Sequence, residues 1–177
     1  MSHIETENII DVSDLTDRFK ELRDERASLV EDVENAEEAV SDAETDLTFA
    51  SHGDGDVGGL LAVALSDAQA DLKTAQEALS AFDESDDAEE LKELETLLKE
   101  LEGYGGDHQF EGDWYPGTLI RDSYFSEYAE QLAGDLHGSK VEQAEWPFNC
   151  IDWEKAAQQL LIDYSEVEID GIEYHYR

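Results

Sequence analysis

The sequence predicts an α+β protein in two parts, a long antiparallel helical hairpin followed by a small domain that mixes helices and strands. Apolar residues repeat every three or four positions across residues 12–50 and again across 61–101, which is the spacing of coiled-coil helices. All three tryptophans, all seven tyrosines and both prolines lie in residues 104–177. The glycine-rich stretch GYGGD at 103–107 separates the two parts and predicts domains at 1–103 and 104–177.

The first helix is predicted from a heptad seam that continues for more than five repeats. The seam comprises Val12, Leu15, Phe19, Leu22, Arg26, Leu29, Val33, Ala36, Val40, Ala43, Leu47 and Ala50. Arg26 is its one charged member, and Asp11, Ser13 or Asp14 could cap the start of the helix. The stretch SHGDGDVGG at 51–59 is rich in turn-forming residues and should end the helix.

The return limb of the hairpin is predicted in two pieces. One seam comprises Leu61, Leu65, Ala68, Leu72, Ala75, Leu79 and Phe82, and a second seam, out of phase with it, comprises Leu91, Leu94, Leu98 and Leu101. The acidic stretch DESDDA between them predicts a break near 83–87. The first piece matches residues 28–50 in length and the second matches 8–25, which favours a hairpin with a kinked return arm. The alternative is a seam that pairs with a second copy of the chain, giving a homodimer.

The C-terminal domain is predicted to contain two helices and several short strands. The segment HQFEGDWYPGTLI at 108–120 should give one or two strands around a Gly-Asp or Pro-Gly turn. A helix from about Ser123 to Leu136 should be capped by Asp122 or Ser123 and end before Gly138. Its apolar stripe comprises Phe125, Tyr128, Ala129, Leu132, Ala133 and Leu136. A second helix should start at Asp152 and bury Trp153, Ala156, Ala157, Leu160 and Leu161.

The chain should close with a β-hairpin around Asp170-Gly171, a dipeptide typical of two-residue hairpin turns. One face of the hairpin would carry Val167, Ile169, Ile172, Tyr174 and Tyr176, and the other Glu166, Glu168, Glu173 and His175. This register sets Glu168 directly opposite Glu173, and like charges in that position destabilise a sheet. We interpret this repulsion as tolerated because the negative surface itself carries the function of the protein.

The charge of the chain narrows the classes of partner. Asp and Glu total 47 against 11 Lys and Arg, for a net charge of −36. Such a surface repels nucleic-acid phosphates and anionic membranes, and it favours and steers a basic protein partner. We expect neither direct nucleic-acid binding nor membrane binding. The single Cys150 allows no internal disulfide, and we see no signal peptide and no apolar run that approaches a membrane span. These features predict a soluble protein of the cytoplasm.

The sequence offers little that favours catalysis. The five histidines are scattered without metal-ligand spacing, and the common nucleotide, hydrolase and metalloprotease motifs are missing. Cys150 has no local nucleophile signature, and we expect it to be a half-buried core thiol between Phe148 and Ile151. We therefore predict a protein that is not an enzyme and that holds no cofactor or metal.

The C-terminal third, residues 118–177, resembles the ArdA antirestriction family. The resemblance rests on the segment IDWEKAAQQL at 151–160, on the acidic-aromatic pair Asp163-Tyr164, and on the preceding acidic helix TLIRDSYFSEYAEQLAGDL. The chain departs from the family at Gln158-Gln159, where an Arg-Asp pair is usual, and its first hundred residues are unlike the family. Members are elongated acidic dimers that mimic duplex DNA and block type I restriction–modification enzymes. The resemblance implies an anti-defence role and leaves the target open, with CRISPR effectors as another candidate.

Together these features predict a non-catalytic DNA mimic from a phage or mobile element that inhibits a DNA-binding host-defence complex. The expected partner-binding residues are Glu31, Asp32, Glu34, Glu37, Glu38, Asp42, Glu44, Asp46, Glu89, Glu90, Glu93, Glu166, Glu168 and Glu173. One alternative is an acidic coiled-coil scaffold or adaptor whose charge serves solubility, for instance in a high-salt environment. Another is an acidic chaperone for a basic protein such as a nucleoid or histone-like factor.

Overall fold

A computed structural model, which describes residues 7–50, 57–138, 146 and 148–177, confirms the α+β class. Its helices are α1 (Val12–Ala50), α2 (Val57–Asp83), α3 (Asp86–Leu101), α4 (Phe125–His137) and α5 (Trp153–Leu160). Its strands are β1 (Ile9–Asp11), β2 (His108–Phe110), β3 (Asp113–Tyr115), β4 (Thr118–Arg121), β5 (Ser165–Ile169) and β6 (Ile172–Tyr176). Single-turn 3₁₀ helices lie at Asp122–Tyr124, Phe148–Cys150 and Leu161–Asp163.

The chain divides into two compact units, residues 1–18 with 92–177 (unit 1) and residues 19–91 (unit 2). This division differs from the predicted one at 103/104. Strand β1 lies in the sheet of unit 1, where Ile10 pairs with Leu119. The sequence pattern does not predict this strand. Asp11 then caps α1, because its Oδ1 accepts hydrogen bonds from the backbone N–H and the hydroxyl of Ser13 at 2.9 and 2.7 Å.

In unit 2, α1 and α2 form an antiparallel helical hairpin, since Arg26 of α1 contacts Asp83 at the far end of α2. From Leu29 onward every seam position of α1 is half-buried, whereas nearly all other positions of the helix there are exposed. The seam of α2 repeats this pattern and ends at the buried Phe82. Arg26, the charged member of the seam, donates from Nε to Asp83 Oδ1 at 2.8 Å and from Nη2 to Asp83 Oδ2 at 3.4 Å. The carboxylate explains why a heptad seam contains an arginine.

The predicted break in the return limb lies at residues 84–85, between α2 and α3. The Ser85 hydroxyl donates to the Phe82 carbonyl at 2.6 Å and accepts from the Ala88 N–H at 3.4 Å, so one side chain ends α2 and starts α3. The predicted glycine-rich turn at 51–59 overlaps α2, which begins at Val57, so residues 57–59 are helical; residues 51–56 lie outside the described part of the chain.

Unit 1 contains a four-stranded antiparallel sheet in the order β1-β4-β6-β5. The β5–β6 turn has positive φ at both Asp170 (53°) and Gly171 (74°), as the predicted two-residue hairpin requires. The register confirms the prediction as well, since Glu168 pairs with Glu173 and Ile169 with Ile172.

A separate hairpin, β2–β3, follows α3 in the chain and forms a two-stranded sheet of its own. Its turn is Glu111-Gly112, with φ of 51° and 101°, rather than the predicted Gly-Asp or Pro-Gly turn. Gly105, with φ of 75°, lies against the backbone of Pro116; a Cβ there would be 2.8 Å from Pro116 Cα. Only glycine fits this close approach, which gives one glycine of the domain-boundary stretch a packing role.

Helices α4 and α5 pack together over one face of the sheet around Ile120, Phe125, Ala129 and Ala157. The second helix is predicted to start at Asp152; it begins at Trp153, and Asp152 caps it by accepting a hydrogen bond from the Lys155 N–H at 3.2 Å. The predicted cap of α4 is wrong, since the helix begins at Phe125 after a 3₁₀ turn with no side-chain cap. Leu136 is also misassigned to the core. It is 71% exposed because it lies in the last turn of α4, beyond the residues that form this cluster.

No helix within the described ranges combines the length and the apolar character needed to cross a lipid bilayer.

Candidate functional site

A strongly acidic surface lies on α1 after its last arginine, Arg26. Between Glu31 and Asp46 the helix carries eight carboxylates and no basic residue, and all eight are exposed. They are the first eight predicted partner-binding residues: Glu31, Asp32, Glu34, Glu37, Glu38, Asp42, Glu44 and Asp46. The seam uses Val33, Ala36, Val40 and Ala43. At 3.6 residues per turn the carboxylates cover the remaining circumference of the helix rather than one narrow stripe.

The basic residues of α1 lie in a different part of the helix. Arg18, Lys20, Arg23 and Arg26 all precede Glu31. In α2, Lys73 lies 3.6 Å from Glu77, an i,i+4 ion pair on an exposed surface. On α1 itself the positive charges are therefore separated from the acidic stretch, and Lys73 on the neighbouring helix α2 has its charge paired with Glu77. The stretch can present a net negative potential to a partner.

Of the three predicted partner-binding residues on α3, two are exposed and one is buried. Glu89 and Glu93 are exposed, but Glu90 is only 6% exposed and cannot serve as a contact residue. The reason is its position on the helix. Glu90 precedes Leu94, Leu97 and Leu101 by four, seven and eleven residues, so it lies on the buried stripe of α3. Counting acidic residues along the sequence could not separate it from its exposed neighbours.

The predicted hairpin residues Glu166, Glu168 and Glu173 are all exposed on one face of β5–β6. His175 shares that face, as predicted, but it is only 2% exposed, so the face is closed to water at this position. Helix α4 covers this end of the strand, and the Phe125 ring packs edge-on against the imidazole at 5.2 Å between centroids. Strand alternation sets which face a residue takes, and the helix decides how much of that face meets water.

One groove brings together residues from two of the predicted acidic regions. It is a cavity of about 380 Å³ between α3 and the β5–β6 turn. Its lining residues are Lys92, Glu93, Thr96, Leu97, Glu100, Glu168, Ile169 and Asp170. Glu93 and Glu168, 75 positions apart in the sequence, thus face one space. Glu100 and Asp170 were not among the predicted site residues, and no local signal in the sequence marks them.

A second cluster combines His175 with two carboxylates. His175 Nε2 lies 2.9 Å from Asp122 Oδ1 and 3.8 Å from Glu173 Oε1, and the three groups lie within 4.8 Å of one another. One imidazole and two carboxylates are a donor set that a divalent cation accepts. However, His175 Nδ1 is buried and has no hydrogen-bond partner among the described residues.

This orphan nitrogen favours a structural role over a metal site. A metal on Nε2 would move the ring proton to Nδ1, where no described group accepts it, whereas metal-bound histidines almost always donate from the second nitrogen. With the proton on Nε2, the ring donates to Asp122 and leaves only a lone pair unpaired. The contact joins β6 to the 3₁₀ turn before α4, which explains why Asp122 does not cap that helix.

The remaining candidate for chemistry is Cys150, and the expectation of a half-buried core thiol is wrong. The side chain is exposed, with its sulfur 3.3 Å from Asn149 Oδ1. It lies in the single 3₁₀ turn Phe148–Cys150, and the next residue, Ile151, is exposed as well. A lone turn of this kind has no continuous inward face to bury a thiol.

Comparison with protein-family models, with curated proteins and with solved structures finds no match to this chain. The resemblance of residues 118–177 to the ArdA family therefore stays a prediction from the sequence.

Proposed function

We propose that this protein is a non-catalytic DNA mimic of a phage or mobile element, which inhibits a DNA-binding host-defence complex by occupying its DNA-binding groove. The target would be a restriction–modification enzyme or a CRISPR effector, met in the cytoplasm of the host cell. The observation that carries the proposal is the exposed, base-free stretch of α1 from Glu31 to Asp46.

The linear charge density of this stretch supports mimicry. Its sixteen residues carry eight carboxylates. At about 1.5 Å of rise per residue they span roughly 24 Å, or about one negative charge per 3 Å of helix. A strand of duplex DNA carries about one per 3.4 Å. A groove that evolved to bind a phosphate backbone would meet a similar spacing of charge along α1.

The stretch also carries a thermodynamic penalty that solubility alone does not require. Glu34, Glu38, Asp42 and Asp46 follow one another at i,i+4 spacing. Each like-charge pair at this spacing destabilises a helix by about 0.2–0.5 kcal/mol. An ordinary coiled coil would alternate these acids with lysines, which keep the helix soluble and stabilise it. Retaining only acids is consistent with a surface selected for its potential.

The test is to neutralise part of the stretch while keeping its shape. The arm variant carries Glu34→Gln, Glu37→Gln, Glu38→Gln and Asp42→Asn. The control variant carries Glu127→Gln, Glu130→Gln, Glu154→Gln and Asp135→Asn, four exposed acids that lie outside the stretch and are not among the predicted partner-binding residues. Each changes the net charge from −36 to −32, so the two differ only in where the charge is removed.

The readout is competition with duplex DNA for purified type I restriction–modification and CRISPR effector complexes. We expect the arm variant to compete more weakly than the control variant, while its unfolding midpoint stays unchanged or rises because repulsion is relieved. The binding of the unaltered protein should weaken steeply with added salt. Equal loss in both variants would point to net charge alone, as in a protein acidic for solubility. Retention of full inhibition by the arm variant would contradict the proposal.

Two further outcomes separate the alternatives. A scaffold would associate through its apolar seam, so its association would be insensitive to salt and to both sets of substitutions. A chaperone for a basic protein would share the salt dependence, but it would bind a histone-like protein and fail to displace DNA from any defence complex.

A further inference from the structure

We propose that the groove between α3 and the β5–β6 turn, called here the turn groove, receives a basic side chain, arginine or lysine, from a protein partner. This inference rests on the proposed function for the assumption that the partner is basic. It adds a discrete pocket on unit 1 to the diffuse negative surface of α1.

The two kinds of group that line the turn groove match the two ends of such a side chain. Leu97 and Ile169 are almost fully buried, at 6% and 4% exposure, and close the bottom of the groove with apolar atoms. Four exposed acidic residues also line the groove: Glu93, Glu100, Glu168 and Asp170. Arginine and lysine have an aliphatic stem that lies along apolar surface and a charged head that seeks carboxylates or water.

Charge and size favour this occupant over others. Four acidic residues and one basic residue, Lys92, line the space, so an anionic or phosphorylated ligand would be repelled. The volume of about 380 Å³ is at the small end of ligand pockets, which span about 300–1,000 Å³. It has room for one or two side chains rather than for a long peptide.

The arrangement of the carboxylates argues against a metal ion in the same place. Within the described part of the chain, the one group of three or more potential metal ligands within 4.8 Å of one another is that of Asp122, Glu173 and His175. The acids of the turn groove are therefore spread around its rim. A spread rim suits a planar guanidinium, which offers five N–H donors in different directions.

The direct test uses the full ¹⁵N-labelled chain and a small probe, the peptide acetyl-Leu-Arg-Leu-amide. Its counterpart with citrulline in place of arginine has nearly the same shape and no charge. We expect the arginine peptide to shift the amide resonances of Thr96, Leu97 and Ile169 in a saturable manner, and the citrulline peptide to leave them unchanged. Equal binding of the citrulline peptide would overturn the proposal, as would shifts that grow without saturation over all acidic surfaces.

A matched pair of variants locates the binding. Glu93→Gln with Glu168→Gln removes the charges of two acidic residues that line the groove, and Glu127→Gln with Glu130→Gln removes two exposed acids of α4. The first pair should weaken binding of the arginine peptide by about fivefold, as expected for two partly exposed ion pairs, and the second pair should leave it nearly unchanged. Equal weakening by both pairs would mean diffuse attraction and would contradict the turn groove as a site.

The same variants separate this inference from the proposed function. If the Glu93/Glu168 variant inhibits the defence complex as well as the unaltered protein while the arm variant does not, the turn groove is not a contact and the DNA mimicry stands. If the peptide binds in the turn groove but neither variant alters competition with DNA, the groove stands and the proposed function is wrong.

Discussion

Replacing Glu173 with lysine should stabilise unit 1, because it turns a cross-strand repulsion into an attraction. Glu173 lies directly opposite Glu168 in the β5–β6 register, and both side chains are exposed. Facing Cβ atoms in such pairs are about 5 Å apart. Two charges at about that distance in water interact by roughly 0.8 kcal/mol.

Reversing one sign therefore changes the interaction by about 1.6 kcal/mol, and screening at 0.15 M salt, where the Debye length is about 8 Å, reduces this to roughly 0.9 kcal/mol. Side chains that splay into solvent would lower it further. We expect a gain in the free energy of unfolding of about 0.5–1 kcal/mol, within the range found for cross-strand pairs.

The assay is urea unfolding followed by tryptophan fluorescence, since all three tryptophans lie in unit 1. Glu173 also lies 3.8 Å from His175 Nε2, and a double-mutant cycle with Glu168→Gln removes that contribution from the comparison. In the Glu168→Gln background most of the gain should vanish, and added salt should reduce it in the unaltered background. A gain that survives both changes would refute the electrostatic explanation. The absence of any gain would mean that the two glutamates do not interact.

Two other predictions test the core of unit 1. Asp122→Ala should lower the free energy of unfolding by about 1–3 kcal/mol in urea titrations, because the buried His175 loses its hydrogen-bond partner. Asp122→Asn should recover most of this loss. An Ala variant of unchanged stability would contradict the structural role given to this contact. Burial raises the pKa of four tyrosines above the ordinary tyrosine value near 10. Above about pH 10 the unfolded chain therefore releases protons that the folded state still holds. The stability that they contribute is complete below about pH 10 and should fall as the pH rises above it. Urea midpoints measure the stability, and the ultraviolet absorbance of phenolate measures the titration. Simultaneous titration of all seven tyrosines near pH 10 in the folded protein would refute this prediction. The four are Tyr115, Tyr164, Tyr174 and Tyr176.

The sequence by itself determined the features that depend on short-range periodicity and local turn chemistry. The seams of α1 and α2, the break near Ser85 and the Asp170-Gly171 turn with its register all follow from residues close together in the chain. So does the negative charge of α1, because a helix with one apolar seam must expose its other positions.

Only the tertiary structure decided which of these local faces meet water and which distant residues meet one another. Glu90 lies in an acidic segment and His175 on the polar face of a strand, yet both side chains are buried. Helix α4 covers His175, and the local sequence cannot place that helix over it. The strand Ile9–Asp11 joins a sheet whose other strands begin more than a hundred residues later, so no local signal could assign it. The turn groove arises in the same way, from Glu93 and Glu168 on elements distant in sequence. Periodicity fixes the direction of a side chain relative to its own element, whereas its surroundings depend on the packing of elements that local sequence does not encode.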